Sequence, residues 1–347
     1  MKKNLFFIVI VLLIISCRQH QSTDEKISAK DVRISDDFKN DSLDITLRKK
    51  NLATFLQQTA ILKNDTLKKK NYLQASYYGA AIDSALFLTA NTKAIKYARN
   101  LKDSIGLAGA FWDRGFFFSE IGGYRESYNA YQEASDLYLA KDKPINAARL
   151  LINMAILQTN VKDYVGSEVT TIRALKVLKP VGAKKYIYRC YNNLAVVYNQ
   201  MNDYENSLTY HTKAYEIQQE LGDNTYQKAS TLNNIGVVYE NMARYQDALK
   251  AYAAALKFSK LIEKEPQLYA KIIDNKAFAE FKIGKEGNLP EDFFKASHLR
   301  ESIDDENGLI FSSMHLAEYY EDKDPKKALK YTEKARMLAE RKGNVHG

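Results

Sequence analysis

Three stretches of the chain differ in how apolar and polar residues alternate, and each predicts a different kind of element. Leu5 to Ile15 is a run of eleven residues without a polar side chain, preceded by Lys2 and Lys3. A membrane-spanning helix needs roughly 20 apolar residues, so this run predicts a secretory signal core, with residues 1–16 as the signal peptide. Arg18 to about Lys39 is polar and lacks an apolar period, so residues 17–40 read as a flexible tether. Beyond that point apolar residues return at helical spacing, as in Tyr188, Tyr191 and Leu194 on one face. Only 15 Gly and 5 Pro punctuate the 347 residues. An all-β chain needs frequent turn residues, so the scarcity predicts long helices with short connections.

The helical part repeats itself. Tyr191-Asn192-Asn193-Leu194-Ala195-Val196-Val197-Tyr198 parallels Leu232-Asn233-Asn234-Ile235-Gly236-Val237-Val238-Tyr239, and each is followed six residues later by Tyr204 or Tyr245. Small residues stand at Gly115, Ala155, Ala195, Gly236, Ala277 and Ala317, spaced 40, 40, 41, 41 and 40. A second set stands at Ala134, Ala174, Ala214, Ala255, Ala296 and Ala335, spaced 40, 40, 41, 41 and 39. Two independent slots that drift by so little define a repeat built of two helices, each small enough at one point to let the other approach.

These slots resemble the tetratricopeptide repeat, in which a small residue on the first helix faces an Ala on the second. The period is longer than the basic repeat, which makes the array similar to the extended variety in kinesin light chain and in bacterial sensor proteins. The Asn-Asn-Leu-Ala and Asn-Asn-Ile-Gly cores strengthen that comparison. The resemblance implies an all-α, right-handed superhelical solenoid of about seven helix pairs, with a concave surface lined by the first helices. Six repeats are expected over 108–345. Residues 41–107 are expected to hold further helices and a degenerate pair, its first helix including Gly79 and its second Ala94-Ile95-Lys96-Tyr97-Ala98. Departures from the pattern are Thr171 and His211 where Tyr131 and Tyr252 place an aromatic, and an irregular turn at Gly284–Asn288.

Ile14-Ile15-Ser16-Cys17 at the end of the signal core resembles the bacterial lipobox. The resemblance implies that Cys17 is the acylated first residue of the mature chain, tied to a membrane by its lipid. Arg18 in place of Asp favours the outer membrane on the same grounds. The formal net charge of +9 loses Lys2 and Lys3 with the signal, and the remaining charges of both signs are interspersed. That pattern predicts solvated helix faces and no nucleic-acid partner.

Candidate chemistry is sparse. No glycine-rich phosphate loop, HExxH, nucleophile elbow or CxxC occurs. His20, His211, His298, His315 and His346 are not paired with one another or with a Cys at helical spacing, so neither metal nor cofactor is expected. Cys190 reads as a buried, inert thiol. The expectation is a protein that binds and does not catalyse.

The binding candidate is a ladder. Two residues before each small slot stand Asp113, Asn153, Asn193, Asn234, Asn275 and His315, and one residue earlier stand Trp112, Ile152, Asn192, Asn233 and Asp274. An amide offers donors and an acceptor together. In related repeats asparagines at this phase contact peptide backbone, so the resemblance makes Asn153, Asn192, Asn193, Asn233, Asn234 and Asn275 a peptide-binding row. Arg149, Arg189 and Lys271, one turn earlier, would then read an acidic group or chain end. Asparagine at this phase equally suits bonds to the neighbouring helix, and both readings stand. The partner is expected to be a protein or peptide. Two further readings are the sensory region of a signalling protein, suggested by an array that reaches Gly347 without a capping helix, and an envelope assembly scaffold.

Overall fold

The computed structural model describes residues 35–222, 225–258, 260–285 and 289–343. Its secondary structure is sixteen α-helices and one 3-10 turn, with no strand among the described residues. The chain forms two compact units, Met1–Leu150 and Leu151–Gly347, and the division falls inside one helix, Pro144–Asn160.

The first unit contains α1 (Ile45–Ala60), α2 (Asp65–Gly79), α3 (Ser84–Asn100), α4 (Ser104–Glu120), α5 (Tyr124–Ala140) and the start of α6 (Pro144–Asn160). Asp44, Asn64, Asp83 and Asp103 begin α1 to α4, each side chain accepting a backbone N–H from the first turn. Such caps satisfy donors the helix cannot. Between α3 and α4 the chain reverses within three residues, and Lys102, just before the cap, adopts a left-handed conformation at φ 52°. α2/α3 and α4/α5 are the resulting antiparallel pairs. Phe87 of α3 stacks on Phe117 of α4 at 4.2 Å, tying one pair to the next.

The last residues of the segment expected to be a tether fold against the helices. Asp37–Lys39 forms the 3-10 turn, and Phe38 is buried against Phe55 (4.9 Å) and Tyr78 (6.0 Å). A single aromatic in a polar stretch is enough to dock where the helices leave an apolar end uncovered. Residues 41–64, part of the stretch expected to hold further helices, add one helix.

The second unit continues α6 and adds α7 (Tyr164–Leu178), α8 (Lys184–Gln200), α9 (Tyr204–Glu220), α10 (Thr225–Asn241), α11 (Tyr245–Leu256), α12 (Leu261–Lys264), α13 (Pro266–Lys282), α14 (Leu289–Ser302), α15 (Glu306–Tyr320) and α16 (Pro325–Gly343). The pairs are α6/α7, α8/α9, α10/α11, α13/α14 and α15/α16, so the two units together carry the seven expected. One element was not legible: α12 is a single turn that follows a shortened α11 and a left-handed Lys260. The irregular turn expected at 284–288 lies partly outside the described residues.

The small slots do what their spacing requires. All six alanines of the second-helix set are buried, as are Gly115, Ala155, Ala195, Gly236 and Ala277, while Ala317 is half-buried. Glycine occurs where the facing residue is tyrosine. A Cβ on Gly115 would sit 2.4 Å from the Tyr131 ring, and one on Gly236 would sit 2.3 Å from the Tyr252 ring. Where the facing residue is Thr171 or His211, alanine fits, so the two departures from the aromatic pattern are matched by a larger partner across the helix pair. Ser127, Ser167 and Ser207 add a second tie, each hydroxyl donating to the carbonyl of Gly115, Ala155 or Ala195 at 2.7–2.8 Å. A serine that satisfies a helix carbonyl across a crossing both fills and fixes the contact.

Candidate functional site

In the second unit the first helices α8, α10, α13 and α15 run side by side, and the ladder residues lie along their seams. Asn192 Nδ2 of α8 donates to Thr231 Oγ1 of α10 at 3.3 Å. Asp274 Oδ2 of α13 accepts from Ser312 Oγ of α15 at 3.2 Å. Both bonds join the residue three before one small slot to the residue five before the next. In the seam between them the second position is Ile272, which has nothing to offer, and Asn233 Oδ1 instead accepts from Asn275 Nδ2 at 3.1 Å. Asn241 Nδ2 donates to Asn199 Oδ1 at 2.9 Å, and Tyr188 donates to Gln227, further along the same helices.

The second rung reaches a different neighbour. Asn193 Nδ2 donates to Ser167 Oγ (3.1 Å) and Thr171 Oγ1 (2.8 Å) of α7. Asn192 Oδ1 meets His211 Nδ1 at 3.1 Å. Because the amide already donates to Thr231, its oxygen accepts and His211 is the donor. Burial holds the His211 pKa down to about 3, so the ring is neutral and can play that part.

The structure thus brings Asn192, Asn193, Asn233 and Asn275 into bonds between helices. Asn234 is half-buried and accepts only a 3.5 Å contact from Asn233. Asn153 is half-buried and makes no side-chain hydrogen bond among the described residues. Of the cations, Lys271 is exposed, and surrounding protein and then Arg300 hold its pKa below the usual lysine range. Arg189 is half-buried. Arg149 belongs to the first unit, its guanidinium 4.4 Å above the Trp112 ring. Asp113, also in the first unit, is buried and accepts from Ser76 at 3.2 Å. Cys17 lies outside the described residues. Cys190 is fully buried, and burial pushes its thiol up to about 12, which leaves it unreactive.

Sequence reasoning missed a charged cluster at the far end of the seam. Asp274 (0% exposed) pairs with Arg300 (2% exposed), Oδ2 to Nη1 at 2.7 Å. The same nitrogen donates to the Gly308 carbonyl at 2.7 Å and to Ser312. His315 Nδ1 lies 3.3 Å from Asp274 Oδ2, and its ring stacks on Phe278 at 4.3 Å. Beside them Tyr252 donates to Glu240, whose carboxyl burial pushes up to about 7 against the pull of that hydroxyl and of His315. Arg300 stands four residues after its small slot, where earlier repeats place Tyr138, Leu178 and Gln218. The signal was a cation in a core position.

No helix among the described residues is long and apolar enough to cross a membrane. A family model for the tetratricopeptide repeat matches residues 186–260. No curated protein sequence matches the chain. Among solved structures, aspartyl phosphate phosphatase F from Bacillus subtilis is similar at a TM-score of 0.66 and 15% identity, over 86% of this chain and 77% of its own. The apo form of RapI is similar at a TM-score of 0.65 and 15% identity, over 79% and 99%. NprR in complex with its cognate peptide NprX is similar at 0.53 and 17%, over 82% and 84%. Identities this low speak for the fold. The matched segment spans α8 to α11, and the same slots and helix pairing extend to either side of it, so the chain carries tetratricopeptide repeats.

Proposed function

We propose that the second unit binds an extended peptide or partner segment along the face where its first helices lie side by side. The supporting observation is the hydrogen-bonding capacity that the internal seam leaves over. Asn153 keeps its whole amide, Asn234 keeps both donors, and Asn193 keeps its carbonyl oxygen. These groups recur once per repeat and match the alternating N–H and C=O groups of an extended backbone. The seam bonds hold the row in register before the ligand arrives, which lowers the ordering cost of binding. Arg189 and Lys271 supply positive charge beside the row and suit an acidic ligand. NprR, of similar fold, was solved with a peptide bound. A net gain of about 1 kcal/mol per hydrogen bond gives affinities of roughly micromolar order.

Peptides selected from a random display library against the full chain test this reading. Asn153→Ala/Asn234→Ala removes the two amides least used internally, so capture is expected to be lost while the melting temperature stays put. Capture that survives the double replacement places the ligand elsewhere.

The same reading includes an anchor: acylation of Cys17 holds the array at a membrane, the outer one by the lipobox comparison. Growth with an alkyne-tagged fatty acid is expected to label the chain, and Cys17→Ser is expected to lose both label and membrane fractionation. A labelled Cys17→Ser chain refutes the anchor.

A further inference from the structure

We propose that a cleft between α3 and α4 of the first unit is an oxyanion site, taking a carboxylate or phosphoryl group. It has a volume of about 320 Å³ and is lined by Lys96 and Arg99 of α3 and by Phe111 and Arg114 of α4, with Thr92 and Asn100 at its edge. It does not depend on the peptide reading.

The charge is unbalanced. α3 has no Asp or Glu in its 17 residues. Among the described residues no carboxylate forms an ion pair with Lys96, Arg99 or Arg114, whereas Lys69 of the same unit pairs with Asp103 at 2.7 Å. Arg114 and Arg99 are near enough to repel, and burial followed by the Arg99 charge holds the Arg114 pKa below the usual arginine range. Like charges gathered in a recess cost free energy in the empty protein, and an anion relieves that cost.

The guanidinium is also held in place. Arg114 Nε donates to Asn91 Oδ1 at 2.9 Å, and Nη2 lies 3.4 Å from Thr92 Oγ1. Asn91 is fully buried and cannot yield, because its Nδ2 donates to the Ala110 carbonyl (2.7 Å) and to Ser76 Oγ (3.0 Å). Nη1 is left uncommitted, and the pinned fork suits the paired oxygens of a carboxylate or phosphate. Phe111 is buried beneath it, with the Arg99 guanidinium 5.7 Å from the ring, so one wall of the cleft is apolar.

The repeat provides an internal reference. A cleft of about 280 Å³ in the second unit uses the same slots, with Lys176 and Lys179 standing 80 residues after Lys96 and Arg99. In the repeat between, those positions are Asp136 and Leu139, so the cations are not a general property of second helices. Where the first cleft has Arg114, the second has Leu194, which removes the fork. The first cleft alone combines recess, surplus charge and a fixed guanidinium.

Calorimetry on the full chain with inorganic phosphate, and separately with N-acetylglutamate, tests the assignment at fixed ionic strength. Saturable one-site binding is expected, weakened about tenfold by Arg99→Gln and by Arg114→Lys, which keeps the charge but not the fork. Lys176→Gln/Lys179→Gln is expected to bind as the parent does. Tighter binding of phosphate identifies a phosphoryl ligand, and tighter binding of N-acetylglutamate identifies a carboxylate; either supports the site. Arg99 is exposed, so Arg99→Gln carries the test even if an Arg114 variant unfolds. No saturation with either probe at tens of millimolar, or undiminished binding by folded Arg99→Gln, overturns it.

Discussion

The two ends of the second unit solve one packing problem with different chemistry. Around α7 to α10 the positions before the small slots are held by neutral groups: Asn193 with Ser167 and Thr171, and Asn192 with His211 and Thr231. Around α13 to α15 the corresponding positions are held by Asp274, Arg300 and Ser312, with His315 alongside. The small slots of the first helices recur every 40 or 41 residues through both ends, so the repeat constrains shape and leaves polarity free. The two solutions differ in how they fail. Each neutral bond contributes about 1 kcal/mol net, and its loss leaves groups that other partners can satisfy. A buried ion pair contributes little net, yet removing one partner leaves a charge with nowhere to go.

The most severe way to break the comparison is Arg300→Leu. It strands Asp274 at 0% exposure, and a loss of about 3–5 kcal/mol in urea unfolding is expected. Asn193→Ala at the neutral end is expected to cost about 1 kcal/mol in the same measurement. Replacing both charges, as Asp274→Leu/Arg300→Met, is expected to recover most of the loss, since the pair is surrounded by core. A double variant no more stable than Arg300→Leu would mean that the geometry of the pair itself holds the α13–α15 crossing.

The same contrast explains what could be read from the chain alone. The small slots were legible because a helix crossing leaves no slack: glycine is required opposite Tyr252, and alanine is allowed opposite Thr171. The partners of the ladder were not, because an asparagine's bond depends on what its neighbour offers. Asn192 finds Thr231, whereas Asn233, facing Ile272, turns to Asn275. The cleft of the first unit was hidden for a related reason, since Arg99 and Arg114 belong to different helices and meet only once those helices pair. Phe38 docks with no repeat to announce it, and α12 fills a gap that the forty-residue period passes over.

Acid titration sharpens the comparison, because burial displaces the pKa of His211 at one end and of Glu240 beside the other. His211, in the neutral end, is held down to about 3, against an ordinary value of 6.5. The unfolded chain binds its proton first as pH falls, so His211 favours folding above pH 6.5 and costs stability progressively between 6.5 and 3. Glu240, beside the charged end, is pushed up to about 7 from 4.5. Here the folded chain keeps a proton that the unfolded chain has lost, so stability is lost as pH rises from 4.5 to 7. Between pH 4.5 and 6.5 the two act in opposite directions, each at no more than about 1.4 kcal/mol per pH unit, and they largely cancel. Glu240→Gln uncovers the histidine, and its stability relative to the parent is expected to climb as pH rises through that window. His211→Thr, which borrows the residue facing Ala155 one repeat earlier, uncovers the glutamate, and its relative stability is expected to fall over the same range. Urea midpoints at half-unit steps from pH 4 to 7.5 check both slopes. Two variants whose profiles run parallel to the parent's would show that neither end shields its titrating group.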